Sequence, residues 1–212
     1  MIIPLAAQAH GVSVGPDLVF LHVSQDAYVC LPGAGVKLAP GAAAIETTDQ
    51  ALLGVLEGAD LIGSTPAPRH MASRALGELR RAHRPVSAGD VLGGMGMTWS
   101  SGWRYRGRFA DLIAWGRCAN PDLLNASTKP CETACRIVHR FQRRWPWAVG
   151  RGQCLHRAFL LLSQLRAGGC DAAWVFGVRT YPFEAHCWLQ IGDTVLDDPI
   201  GRLAAYQPLF TA

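Results

Sequence analysis

Charge is scarce in this chain of 212 residues: 17% of the positions are charged, and Lys37 and Lys129 are the only lysines. The net charge of +4 therefore comes almost wholly from arginine. No long basic run is present, which argues against nucleic-acid binding, while the mild positive balance suits an acidic peptide partner or a solvated face. So little charge also hints at a surface partly covered by partners. No window reaches 18 uninterrupted apolar residues, so no membrane-spanning helix is expected. Met1–Ala7 is apolar but lacks a basic region and a long apolar stretch, a poor signal peptide. There is no low-complexity tract, no internal repeat and no Gly-Lys-Ser/Thr phosphate loop. Seven cysteines cannot all pair, and their spacing is not that of a disulfide scaffold, so a reducing, cytoplasmic setting is expected. What is present is hydrophobic: half of all residues, enough for one large or two small domains.

The informative spacing lies near the C-terminus. Cys154 opens a strongly apolar stretch, His186 follows 32 residues later, and Asp198 comes 12 residues after that. Gly150-Arg151-Gly152-Gln153 is a glycine-rich turn. After Cys154, Ala158, Leu161, Leu162 and Leu165 recur at helical spacing, and Gly168-Gly169 ends the helix. Cys154 is thus expected in a first helical turn, where unpaired N–H groups and the helix dipole favour a thiolate. The backbone N–H of Cys154 and the side chain of Gln153 are candidate oxyanion donors.

Ala172–Val178 reads as a buried strand and Phe183–Ile191 as a second. Gly192-Asp193 is a hairpin turn, and Thr194–Leu196 starts the return strand. Residues placed symmetrically about such a turn face each other, so His186 and Asp198 can meet. Asp197 competes, but strand alternation lets only one of the two neighbours reach the histidine. A Cys deprotonated by a His that an Asp orients is the constellation of nucleophilic acyl transfer. Each residue alone has a plainer reading: a packing thiol, a structural imidazole, a turn aspartate.

Cys131, Cys135 and His139 invite a metal reading, since a spacing of four puts them on one helix face. Three ligands from one straight helix rarely converge on a tetrahedral ion, because successive turns stand about 5.4 Å apart. The expectation is instead a helix over Cys131–Trp145 burying Ile137, Val138 and Phe141, and no metal.

The first half has another texture. Asp17–Ser24 and Ala27–Leu31 read as a hairpin around Gln25-Asp26, with a third strand near Val36–Leu38. Thr48 is placed as the cap of a helix over Asp49–Leu56. Pro66-Ala67-Pro68 is a break, and Arg69–Ala82 reads as an amphipathic basic helix. The expected class is α+β: a small winged-helix-like domain (a three-strand sheet plus helices) over 1–82, a glycine-rich connector over 83–100, and an enzyme domain over 101–212.

Residues 131–212 resemble the C-terminal domain of lasso-peptide biosynthesis B proteins, the microcin-J-type leader peptidases. The resemblance rests on Cys154-Leu155-His156-Arg157-Ala158-Phe159-Leu160-Leu161, Val175-Phe176-Gly177-Val178-Arg179, Pro182–Gln190, Asp198 and Tyr206-Gln207-Pro208-Leu209. It implies a transglutaminase/papain-like cysteine-protease domain that cuts the leader from a precursor peptide, with the family's Cys, His and Asp falling on Cys154, His186 and Asp198. It implies as partners the precursor and an asparagine-synthetase-like lasso cyclase. Some members need ATP for cleavage; with no phosphate loop here, that need is expected to enter through the cyclase. The N-terminal half resembles the family's leader-recognition element, in which the leader adds as a strand to a sheet edge. That likeness makes Val36, Leu38, Arg74, Arg80 and Arg81 the candidate leader-binding residues. Two other functions stay open at this point: an amide-forming acyltransferase, in which an amine replaces water, and a non-catalytic protein that delivers precursor.

Overall fold

The computed structural model describes residues 1–66, 69–80, 85–97, 107–148 and 154–212. Among them the strands form three sheets. β1 (Ile2–Pro4) pairs with β5 (Ala44–Glu46), and β2 (Ala9–Val14), β3 (Asp17–His22) and β4 (Ala27–Leu31) form an antiparallel meander. The third sheet runs β10-β7-β8-β9-β6, from β6 (Gly77–Glu78), β7 (Ala173–Arg179), β8 (Glu184–Ile191), β9 (Thr194–Val195) and β10 (Gln207–Thr211). Only β6 with β9 is parallel there. The helices are α1 (Gln50–Gly58), α2 (Ala88–Met97), α3 (Phe109–Gly116), α4 (Glu132–Arg144), α5 (Cys154–Ala167) and the short α6 (Ile200–Leu203). No described helix is long and apolar enough to cross a membrane.

The α+β class agrees with the sequence reading, and so does the β3–β4 hairpin. Every residue of β3 is buried, because both its faces are covered. Leu18 and Phe20 pack with Leu52, Leu53 and Leu56 of α1, while Val19 and Leu21 join the main core with α4 and α5. An uninterrupted apolar run suits a strand covered on both faces. α4 buries Ile137, Val138 and Phe141 as expected, and caps itself with Cys131.

Four expectations fail. Arg69–Ala82 does not form the basic helix: within its described part, residues 69–76 carry no regular secondary structure and β6 follows. Tertiary partners claim the backbone first. Arg69 binds the carbonyls of Ala6 and Ala9, Ser73 Oγ binds the Gly192 carbonyl, and Leu76 N–H donates to Asp193 O. Val36–Leu38 is no strand either. It lies along β2 through Ser13, whose N–H donates to Leu38 O at 2.9 Å, and Leu38 is buried beside α1. The third strand of the small sheet is β4, and β2, unforeseen, is its first. The cap of α1 is Asp49, whose carboxylate accepts from Ala51 and Leu52 N–H, rather than Thr48. With α1 the only helix among the described residues of 1–82, the winged-helix arrangement is not formed.

The 83–100 stretch placed as a connector contains α2. Its glycines disfavour a helix, but Ser87 and Asp90 cap it reciprocally: Ser87 N–H and Oγ bind Asp90 Oδ2, and Asp90 N–H binds Ser87 Oγ. Asp90 also pairs with Arg143 and Arg144 of α4. Close approach to α4 is what the glycines permit. A Cβ on Gly94 would press into the Arg144 carbonyl and stand 2.7 Å from Trp147 Cβ. Gly94→Ala, although it raises helix propensity, is expected to cost about 1–3 kcal/mol, read as a lower urea midpoint at unchanged slope.

Candidate active site

The large sheet positions the site. On β8, Cys187, Leu189 and Ile191 face the main core, while Trp188 packs on the opposite side with Val175, Leu203 and Tyr206. His186 shares that opposite face by alternation, and its ring lies 5.2 Å from the Tyr206 ring. Beyond β9 the chain brings Asp198 back to it: His186 Nε2 donates to Asp198 Oδ2 at 2.6 Å, with both side chains buried. That bond leaves Nδ1 as the ring atom free to exchange a proton with a thiol. Asp197 points elsewhere and accepts the Leu189 N–H at 2.9 Å; both aspartates lie in a bend after β9 rather than on a return strand.

Cys154, the first described residue of α5, stands at a cleft of about 470 Å³ lined by Trp145, Arg157, Glu184, Ala185, His186 and Arg202. Its thiol is pulled down to about 4. The largest cause is a hydrogen bond with Cys187; burial opposes it, and hydrogen bonding to His186 and that ring's charge reinforce it. His186 moves the other way, to about 9: burial opposes, but its bonds to Asp198 and to Cys154 prevail. At neutral pH the pair is thus thiolate and imidazolium. Burial, then the contact with Cys154, pushes the Cys187 thiol well up, so it stays protonated and donates to its neighbour.

Arg157 sits three residues along α5 from Cys154. Its Nη2 donates to Asp198 Oδ2 at 2.5 Å and its Nε lies 3.4 Å from Asp197 Oδ2. One guanidinium thereby holds two adjacent carboxylates. Burial tends to raise Asp198, but bonds from His186 and Arg157 hold it below its ordinary value. Fully buried Asp197 is pushed up by desolvation despite Arg157.

The structure brings Cys154, His186 and Asp198 together. Gln153 and Arg81 lie outside the described residues. Val36 and Leu38 run beside β2, Arg74 borders a separate cavity of about 630 Å³, and Arg80 offers its carbonyl to His139 Nε2. None of these four lines the Cys154 cleft. Cys131, Cys135 and His139 turn to different partners.

Sequence reasoning missed Cys187, Arg157 and Tyr28. Two signals were available: a cation one helical turn from Cys154, and an Asp-Asp pair needing a counter-charge. Tyr28 on β4 had no signal. Its hydroxyl is raised by burial first and then by the neighbouring Cys187–Cys154 pair, which puts the small sheet beside the thiolate. Its ring packs edge-on against Phe183 at 5.6 Å.

A thiolate–imidazolium pair with a carboxylate behind the ring, at the end of a helix packed on an antiparallel sheet, is equipped for acyl transfer through a thioester. The chain belongs to the transglutaminase-like superfamily, whose sequence pattern it matches over residues 95–211. It is also 36% identical over 50 residues to the microcin J25-processing protein McjB of Escherichia coli. That stretch covers 24% of this chain and 24% of that protein's length. No solved structure matches the chain.

Proposed function

We propose that the chain is a leader peptidase of lasso-peptide maturation, cutting the leader from a ribosomally made precursor before a partner cyclase closes the ring. The observation that carries the reading is the Cys154–His186–Asp198 cluster at an open cleft; the likeness to a microcin-processing protein supplies the substrate class. Cys154 Sγ attacks the scissile carbonyl, and the oxyanion rests on backbone N–H groups at the start of α5. His186 Nδ1–H protonates the departing amine, the new N-terminus of the core. Water, deprotonated by His186, then releases the leader from the thioester.

The small sheet supplies a place for the extended leader. The β2 edge is partly taken by residues 36–38, whereas β4 is the free end of its sheet among the described residues and carries Tyr28 toward Cys154. Strand addition there would satisfy the β4 backbone and lead the peptide to the cleft. This assigns docking to β4 in place of Val36 and Leu38.

Mass spectrometry of precursor incubated with the protein, with and without cyclase and ATP, tests the reading. The expected product is free leader plus core. Cys154→Ala should yield none while binding precursor as tightly as the unaltered protein. A product lighter by one ammonia would instead mark amide formation. Cleavage by Cys154→Ala would sink the mechanism, and tight binding without any Cys154-dependent product would leave a delivery protein.

A further inference from the structure

A second thiol pair stands at the far end of α5, roughly 20 Å along the helix from Cys154. Cys131 caps the start of α4, Cys170 follows the Gly168-Gly169 turn that ends α5, and their Sγ atoms are 3.7 Å apart. Cys131 is exposed and Cys170 half-buried, and both border an open cavity of about 600 Å³. The two thiols are unequal. Cys131 Sγ accepts the Ala134 N–H at 3.4 Å, as a helix N-terminus allows. That backbone bond is the largest cause of its lowered pKa; slight burial opposes it and the Cys170 thiol adds to it. Cys170 is raised, by burial and then by the contact with Cys131. An accessible thiol of lowered pKa within contact of a second thiol is the arrangement that oxidises reversibly.

We propose that Cys131 and Cys170 form a reversible disulfide, a modification site for peroxide. The Cys131 thiolate attacks one peroxide oxygen; the O–O bond breaks, hydroxide leaves, and Cys131 becomes a sulfenic acid. Cys170 then attacks that sulfur, the S–O bond breaks, and the Cys170 proton leaves with the oxygen as water. Two thiols are oxidised and one peroxide is reduced to two waters. Closing from 3.7 Å to about 2.0 Å asks for a shift under 2 Å. The loop so closed spans 39 residues, from the start of α4 to the end of α5. Tying it restricts the unfolded chain, so the oxidised protein should melt several degrees higher. None of this depends on the reaction assigned to Cys154.

Cys135 is the internal control. It lies one turn along α4, but its Sγ turns to the Pro130 carbonyl. The experiment uses the full chain with Cys154→Ala, to remove the competing thiolate, treated with excess hydrogen peroxide and then alkylated. The expected result is a mass lower by two hydrogens before alkylation, a cross-linked peptide joining Cys131 to Cys170, reversal by dithiothreitol, and the higher melting temperature in the oxidised form. Adding Cys135→Ser should leave all four unchanged, while Cys131→Ser or Cys170→Ser should abolish them. A cross-link between Cys131 and Cys135, intermolecular bridges alone, or both thiols still open to alkylation after peroxide would overturn the proposal.

Discussion

Replacing His186 with Gln will lower kcat/KM for precursor cleavage by about 10³–10⁴ and change how Cys154 responds to pH. The unaltered thiol, with its pKa near 4, should be alkylated by iodoacetamide at an almost level rate across neutral pH. In His186→Gln the inflection should climb toward the ordinary thiol range, so the rate rises steeply as pH increases through neutrality. The sign follows from the pair. Below about pH 4 the thiolate gains a proton and the nucleophile is lost. Above about pH 9 the imidazolium loses its proton and has none to give the leaving amine. Cleavage should therefore show a plateau between those limits. Asp198→Asn should pull the upper limb down, because the carboxylate bonded to Nε2 helps hold His186 protonated. Cys187→Ala should move the lower limb up while leaving the upper limb in place, since Cys187 acts on the thiolate. An unaltered Cys154 whose alkylation rate rose tenfold per pH unit through neutrality would refute the ion pair.

The parts of this site that sequence makes legible are those held by local rules. Periodicity after Cys154 places it at a helix start, and the Gly192-Asp193 turn sets which residues of β8 and the return strand meet. Which of Asp197 and Asp198 meets His186 is set by the bend that follows β9, not by a strand pattern. What stays hidden depends on partners far along the chain. Cys187 is turned from His186 by strand alternation, and it matters only because α5 packs on that face of the sheet. Tyr28 is separated from Cys154 by more than half the chain, and nothing local links them.

The N-terminal half is less legible for the same reason. Arg69–Arg80 has the composition of a basic amphipathic helix, and in isolation it reads as one. Its backbone donors are nevertheless taken by Leu124, Asp193 and Val195, so long-range pairing overrides a modest propensity. The reverse holds for α2, where three middle glycines argue against a helix. The Ser87–Asp90 box and Asp90's two arginines supply what propensity lacks. That box was visible as Ser-Ala-Gly-Asp, while the space filled by Arg144 and Trp147 was not.

Arg157→Met should cost about 3 kcal/mol of folding stability and lower kcat/KM by about 10–100-fold. Two carboxylates, both nearly buried, would lose their shared cation. Two roles are mixed in that loss: balancing charge, and aiming Asp198 at His186. Adding Asp197→Asn separates them. The amide oxygen can still accept the Leu189 N–H, one negative charge disappears, and Asp198 keeps His186 at 2.6 Å and Arg202 at 3.9 Å as counter-ions. The double variant is expected to regain most of the stability, read from urea midpoints, and little of the rate, because the short Arg157 bond that aims the Asp198 carboxylate at His186 stays lost. Rate returning along with stability would make Arg157 a charge balancer and no more. Stability that stayed lost would place its contribution in the packing of its methylenes on α5, and the carboxylate pair would not be the reason that an arginine stands one turn from the nucleophile.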